Sequence, residues 1–209
     1  LSRSMDTTPK LRPAERLVFF TDAVVAIAMT LLILPLLESV GEAAQDGLDT
    51  IGYLVENQGR LVAFTLSFVI IAAFWRSHDR LFEPVEHQDN ALLRLNVAWM
   101  FTIVWLPVAT ALVGSMPTDP LQLVLYIGTM LATSLLTLAM RWWLGHRPEL
   151  VASGHHFDPS GFASMAVVSA LFAVALLLAV LIPGLGYWAM LVLLLGAPLD
   201  ALLARRRRP

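Results

Sequence analysis

The 209-residue chain has no cysteine, which excludes a disulfide framework and any thiolate metal site. Charge is also scarce. Only 14 % of residues are charged, against about 25 % in an ordinary soluble domain. No zinc-protease HExxH, nucleophile elbow or phosphate-cradling glycine loop is present, so the sequence does not read as an enzyme. It shows no internal repeat either. What it has in quantity is apolar surface, with 57 % hydrophobic residues and a mean hydropathy of +0.71. Apolar runs recur along the whole chain, and that makes it a membrane protein.

A helix needs about 20 apolar residues to cross the hydrocarbon core. Six runs qualify or come close: Leu17–Leu37, Leu61–Trp75, Leu92–Val113, Leu121–Leu144, Phe162–Ile182 and Leu185–Leu203. The second is short and is expected to reach back toward Gly52. Pro35 ends the first run, Met116–Pro120 separates the third and fourth, and Pro183-Gly184 turns the chain before the sixth. Pro107 falls inside the third, where neighbouring helices can accommodate a kink. The first run is too long for a signal peptide, carries Asp22 and lacks a small-x-small cleavage site near Glu38.

The missing positive charge on one face gives the topology. Thirteen of the fourteen Lys and Arg residues fall on the side of the N-terminal tail, the second-to-third and fourth-to-fifth connections and the C-terminal Arg205–Arg208 run. Arg60 alone lies opposite. The positive-inside rule then places both termini in the cytoplasm. The outer first loop is acidic, with Glu38, Glu42, Asp46, Asp49 and Glu56. Leu1–Ser4 precede Met5 and read as a vector-derived remnant. Residues 1–15 form a cytoplasmic tail, 16–204 an all-α transmembrane domain of six helices, and 205–209 a basic tail that suits anionic lipid better than nucleic acid.

At 100° per residue, Phe20, Ala23, Ile27, Leu31 and Leu34 lie within about 40° of one line down the first helix, with Thr30 about 60° aside. Arg16 projects onto the same stripe, and Asp22 onto nearly the opposite face. The stripe has two readings. It is packing surface, or it is a pore wall whose apolar rings exclude water. Asp22 costs about 2.5–3.5 kcal/mol at membrane depth without a partner. Trp75, Arg76, His78, Arg80 and Asn96 stand at its level on the second and third spans and can donate to it. Arg16 is too far round the helix to pair with it. Asp22 is thus either a polar pin for the first helix or a contact for a passing ion.

Arg16-x-x-x-Phe20-Thr21-Asp22 resembles the Arg-x-x-x-Phe-Ser-Asp signature of the transmembrane protein 175 family of potassium channels, with Thr in place of Ser. Ala26-Ile27-x-x-Thr30-Leu31-Leu32 continues the likeness. Trp75-x-x-His78 and Asn96 with Leu106-Pro107-x-x-Thr110 are similar to the family's second- and third-helix patterns. The resemblance implies a potassium-favouring cation channel in the bacterial cell membrane. Four chains would surround a pore lined by the first helix, with no TVGYG-type filter. It places the constriction at Ile27, Leu31 and Leu34 and a selectivity position at Thr30. The supporting motif and polar network are Arg16, Phe20, Thr21, Asp22, Trp75, His78 and Asn96. No cofactor or resident metal is expected; potassium is the permeant, and the partners are further copies of the chain and the bilayer. Readings of another class are a proton-coupled transporter using Asp22 or His78, and a non-conducting scaffold.

Overall fold

The computed structural model describes residues 11–155, 157–182 and 184–196. It is all-helical apart from a short strap at one end. The helices are α1 (Glu15–Leu31), α2 (Leu34–Gln45), α3 (Thr50–Glu56), α4 (Gln58–Phe82), α5 (Asn90–Ser115), α6 (Pro120–Gly145) and α7 (Pro159–Leu181). Single 3₁₀ segments follow at Pro148–Leu150 and Gly186–Leu195. Five helical stretches are long and apolar enough to cross a membrane, the first being Glu15–Gln45, which joins α1 and α2. The expected sixth span is described only in part. Its described part is the ten-residue 3₁₀ segment Gly186–Leu195, too short to cross, and residues 197–203 lie outside the described region.

Two boundaries also differ from the sequence expectation. The second span does not reach Gly52. Asp49 caps a separate helix by accepting from Gly52 N–H at 2.7 Å. Asn57 then ends α3 and starts α4, its Oδ1 accepting from Arg60 Nη1 at 3.0 Å. Pro35 does not end the first run but opens its second segment. It sits in the first turn of α2, where a residue lacking N–H is tolerated, and the chain turns at Leu32–Ile33. Pro107, by contrast, lies inside an α5 that continues through it.

The core lies where α4, α5, α6 and α7 meet, with α1 laid against α4 and α5. Trp99, Tyr126, Ile71, Ile103, Leu106 and Met130 are fully buried there. Apolar helices gain little from each other in lipid, so hydroxyl and amide groups fasten them. Tyr126 and Ser67 hydroxyls lie 2.8 Å apart, and Thr110 Oγ1 donates to Ser67 Oγ at 2.8 Å. Trp99 Nε1 donates to Thr137 Oγ1 at 3.0 Å. Gln122 Nε2 donates to the Leu112 carbonyl at 2.6 Å, and Tyr187 donates to Gln122 Oε1 at 2.6 Å.

The bundle has an arginine-rich end and an acidic end. Seven of the eight described arginines lie at the end where α1 begins. There β1 (Arg12–Pro13) pairs antiparallel with β2 (His87–Gln88), Ala14 N–H donates to Glu86 O at 2.9 Å, and Val85 bridges to Val151. This strap joins the base of α1 to two inter-helix loops. At the other end stands Arg60, 3.7 Å from Glu42 of α2. A Cβ added at Gly114 would come within 3.3 Å of Arg60 Cα, so α4 and α5 approach closely there and a larger residue must push Arg60 aside. Gly114→Val is expected to destabilise the detergent-solubilised protein by about 1–3 kcal/mol, read as a lowered thermal unfolding midpoint.

Candidate functional site

Helix α1 has two chemically distinct sides. Leu17, Thr21, Val25 and Ala28 are buried against the bundle. Phe20 (60 %), Ile27 (60 %), Leu31 (39 %) and Leu34 (47 %) are left exposed by their own chain. Arg16, Ala23 and Thr30 share that uncovered side. Every residue of the sequence-predicted stripe therefore lies on the exposed side, Leu31 least so, although the stripe runs across the α1–α2 turn rather than along one straight helix.

The opposite side is held by a directional polar chain. Asn96 of α5 donates from Nδ2 to Thr21 Oγ1 at 2.7 Å, and Thr21 donates to the Leu17 carbonyl at 2.8 Å. With its amide nitrogen so used, Asn96 offers Oδ1, which can only accept. His78 Nε2 of α4, 2.6 Å away, must therefore carry the proton. Thr21, His78 and Asn96 are all inaccessible to solvent. The His78 ring lies between Phe82 and Trp99, with ring centroids 4.3 and 4.4 Å distant. Its Nδ1 is buried without a hydrogen-bond partner among the described residues. One threonine, one asparagine and one histidine thus join three helices.

Asp22 occupies a separate position beside this chain. Its Oδ1 accepts from Trp75 Nε1 of α4 at 2.8 Å. The third span contributes its polar group to Thr21 rather than to the carboxylate. Arg16 makes no ion pair with Asp22, and the only ion pairs among the described residues are Arg60–Glu42 and Arg147–Glu149. The motif Arg16-x-x-x-Phe20-Thr21-Asp22 is therefore divided. Thr21 and Asp22 bind the chain's own helices, whereas Arg16 and Phe20 face away from them.

The sequence reading missed three further elements. The Ser67–Thr110–Tyr126 cluster and the Gln122–Tyr187 link were foreshadowed by polar residues within apolar runs, the usual mark of helix–helix glue. The strap beneath α1 had no comparable signal, because two-residue strands carry no periodicity. Among the described residues no group of three or more His, Asp or Glu side chains is placed to hold a metal ion.

A family model described as the endosomal/lysosomal potassium channel TMEM175 matches residues 16–107, which contain both the stripe and its polar anchor. A potassium channel of Streptomyces collinus is 30 % identical over 154 residues, covering 71 % of this chain and 70 % of that one. A potassium channel of Chryseobacterium is 28 % identical over 100 residues, 48 % of each chain. The endosomal/lysosomal proton channel TMEM175 of Homo sapiens is 27 % identical over 150 residues, 72 % of this chain and 29 % of the human protein. The chain thus spans less than a third of the length of its animal relatives. These relatives bear the names of ion channels, not of enzymes.

Thr21→Val keeps the shape of the anchor but strands the Asn96 amide in the core. An unpaired buried donor costs about 1–3 kcal/mol, and thermal unfolding should reveal that loss. Thr21→Ser, which retains the hydroxyl, should unfold close to the wild-type midpoint.

Proposed function

This chain belongs to the TMEM175 family, and from that membership we propose that it is a potassium-favouring channel conducting passively through a pore lined by the first helices of four identical subunits. The observation that carries the reading is the two-sidedness of α1. Thr21 and Asp22 are spent on the subunit's own helices, while Ile27, Leu31 and Leu34 are left exposed by their own chain. Such a helix is complete on one side and unsatisfied on the other. Four copies around an axis supply the missing surroundings and stack apolar rings along it.

The chemistry follows from those rings. Isoleucine and leucine offer no hydrogen bonds, so a narrow ring of them empties of water and stops ions until it widens. Thr30, on the same side, brings the nearest side-chain oxygen to the path; its hydroxyl donates to the Ile27 carbonyl at 2.7 Å and keeps lone pairs for a cation. At the acidic end, Glu38, Glu42, Asp46, Asp49 and Glu56 face a single nearby cation, Arg60. Repeated around an axis, they raise the local concentration of positive ions. Asp22 acts as a structural pin through Trp75 rather than as an ion contact. The arginine-rich end faces the cytoplasm of a bacterial cell.

Flux from purified protein in liposomes tests the reading. Potassium is expected to move electrogenically without a proton gradient or a counter-substrate. Strict dependence on either would replace the channel by a transporter, and no flux under any gradient would leave a scaffold. Ile27→Asn is expected to wet the constriction, raising conductance and weakening selectivity; unchanged conductance would take Ile27 out of the narrow point. For Asp22→Ala a lower yield of assembled oligomer is expected. An intact oligomer with altered ion selectivity would reassign Asp22 to the ion.

A further inference from the structure

Four carboxylates line a hollow at the arginine-rich end, between the base of α1 and the end of α4: Glu15, Asp79, Glu83 and Glu86. Val18 and Phe19 of α1 form its apolar wall, and the Phe19 ring is exposed. All four acids are exposed, and none has a cation within ion-pair distance among the described residues.

A second uncovered surface runs along α5, where Arg94, Val97, Phe101, Val104 and Val108 are exposed. Its place in the bundle follows from three hydrogen bonds at 100° per residue. With Asn96, which bonds α1, taken as the origin, Thr110 meets α4 about 40° to one side, and Thr102 meets α6 about 120° to that same side. The exposed stripe lies about 80–160° to the other side. Helix α1 therefore stands between an acidic hollow on its α4 flank and a stripe headed by an arginine on its α5 flank. Arg94 likewise makes no ion pair among the described residues.

We propose that α5 of each subunit seats against the α1–α4 flank of the next, with Arg94 entering the acidic hollow beside Asp79. This rests on the four-subunit pore reading above and assigns its contact. A ring about one axis joins two different faces of every copy, and opposite charge decides which faces meet and in what register. Rotation about the axis leaves depth unchanged, so partners across the contact must stand at one level. Helices α1 and α5 run in the same direction with Asn96 beside Thr21, which brings Arg94 to the level of Phe19. Helix α4 runs oppositely with Trp75 beside Asp22, which brings Asp79 to the level of Val18. Arg94 and Asp79 thus differ by about 2 Å in depth. Glu15 and Glu83 stand about a turn further toward the water, where a long arginine side chain carries its charge. Phe101 comes level with the exposed Ala26, and a small residue there leaves room for its ring.

Cross-linking tests the contact, since the chain has no cysteine of its own. Reconstituted protein carrying both Asp79→Cys and Arg94→Cys should give covalent species of up to four subunits with a short bis-maleimide. Either single variant should run as a monomer on the denaturing gel, because the faces that meet are different. Charge exchange is the second arm. Arg94→Asp should lower the tetramer fraction in detergent several-fold by light scattering, and adding Asp79→Arg to it should restore most of the loss. Wild-type protein that forms no tetramer would refute the four-subunit reading itself. A wild-type tetramer with an unchanged tetramer fraction in Arg94→Asp, or with no restoration by the second charge, would refute this interface alone. So would a double-cysteine tetramer that yields no intersubunit product, or dimers formed by Arg94→Cys without Asp79→Cys.

Discussion

The hydrogen bond from Asn96 to Thr21 is the constraint on which the arrangement of this bundle turns. In lipid, apolar faces do not choose between alternative partners, because hydrocarbon is as good a neighbour as leucine. A buried donor and acceptor do choose. The 2.7 Å contact sets the rotation of α1 against α5, and the His78 bond adds α4 to the same setting. Once Thr21 is fixed inward, helical geometry sends Phe20, Ile27 and Leu31 outward. The stripe is therefore a consequence of the anchor, and both are parts of one rotational choice.

The two ends of the first helix are held differently. At the arginine-rich end, backbone pairing between residues 12–14 and 86–88 grips the chain before α1 begins. Beyond the turn at Leu32–Ile33, α2 is attached more lightly. Tyr53 reaches the Leu36 carbonyl at 3.2 Å and Ser39 at 3.1 Å, and Glu42 faces Arg60 across 3.7 Å with its side chain largely in solvent. Such an exposed pair contributes little to stability. The base of the helix is a fixed mount and its outer third a lightly held extension.

Much of this was legible in the residues. The apolar runs predict three of the five long spans to within a few residues, because composition alone decides what enters lipid. The facing of α1 follows from 100° periodicity, and Asp22 announces the need for a partner by its cost. What could not be read was discontinuity. Pro35 marks a boundary in any reading, yet a proline suits the first turn of a new helix as well as the end of an old one. Only the three-dimensional structure shows which applies. Asn57 likewise divides α3 from α4 through local turns that leave no periodic trace. The strap depends on residues more than sixty positions apart, and pairing at that range has no local signature.

The polar anchor also sets a timetable. Trp75 follows Asp22 by 53 positions in the chain, and Asn96 follows Thr21 by 75. Ribosomes add about 5–20 residues per second, so the first helix waits for seconds before its partners exist. Through that interval Asp22 sits in or near the membrane without its indole donor, and the α1 base lacks the strap that residues 86–88 will supply. The nascent first helix thus lacks the polar partners of α4 and α5 until they are made. Final placement of the first helix is therefore coupled to synthesis of the two that carry it.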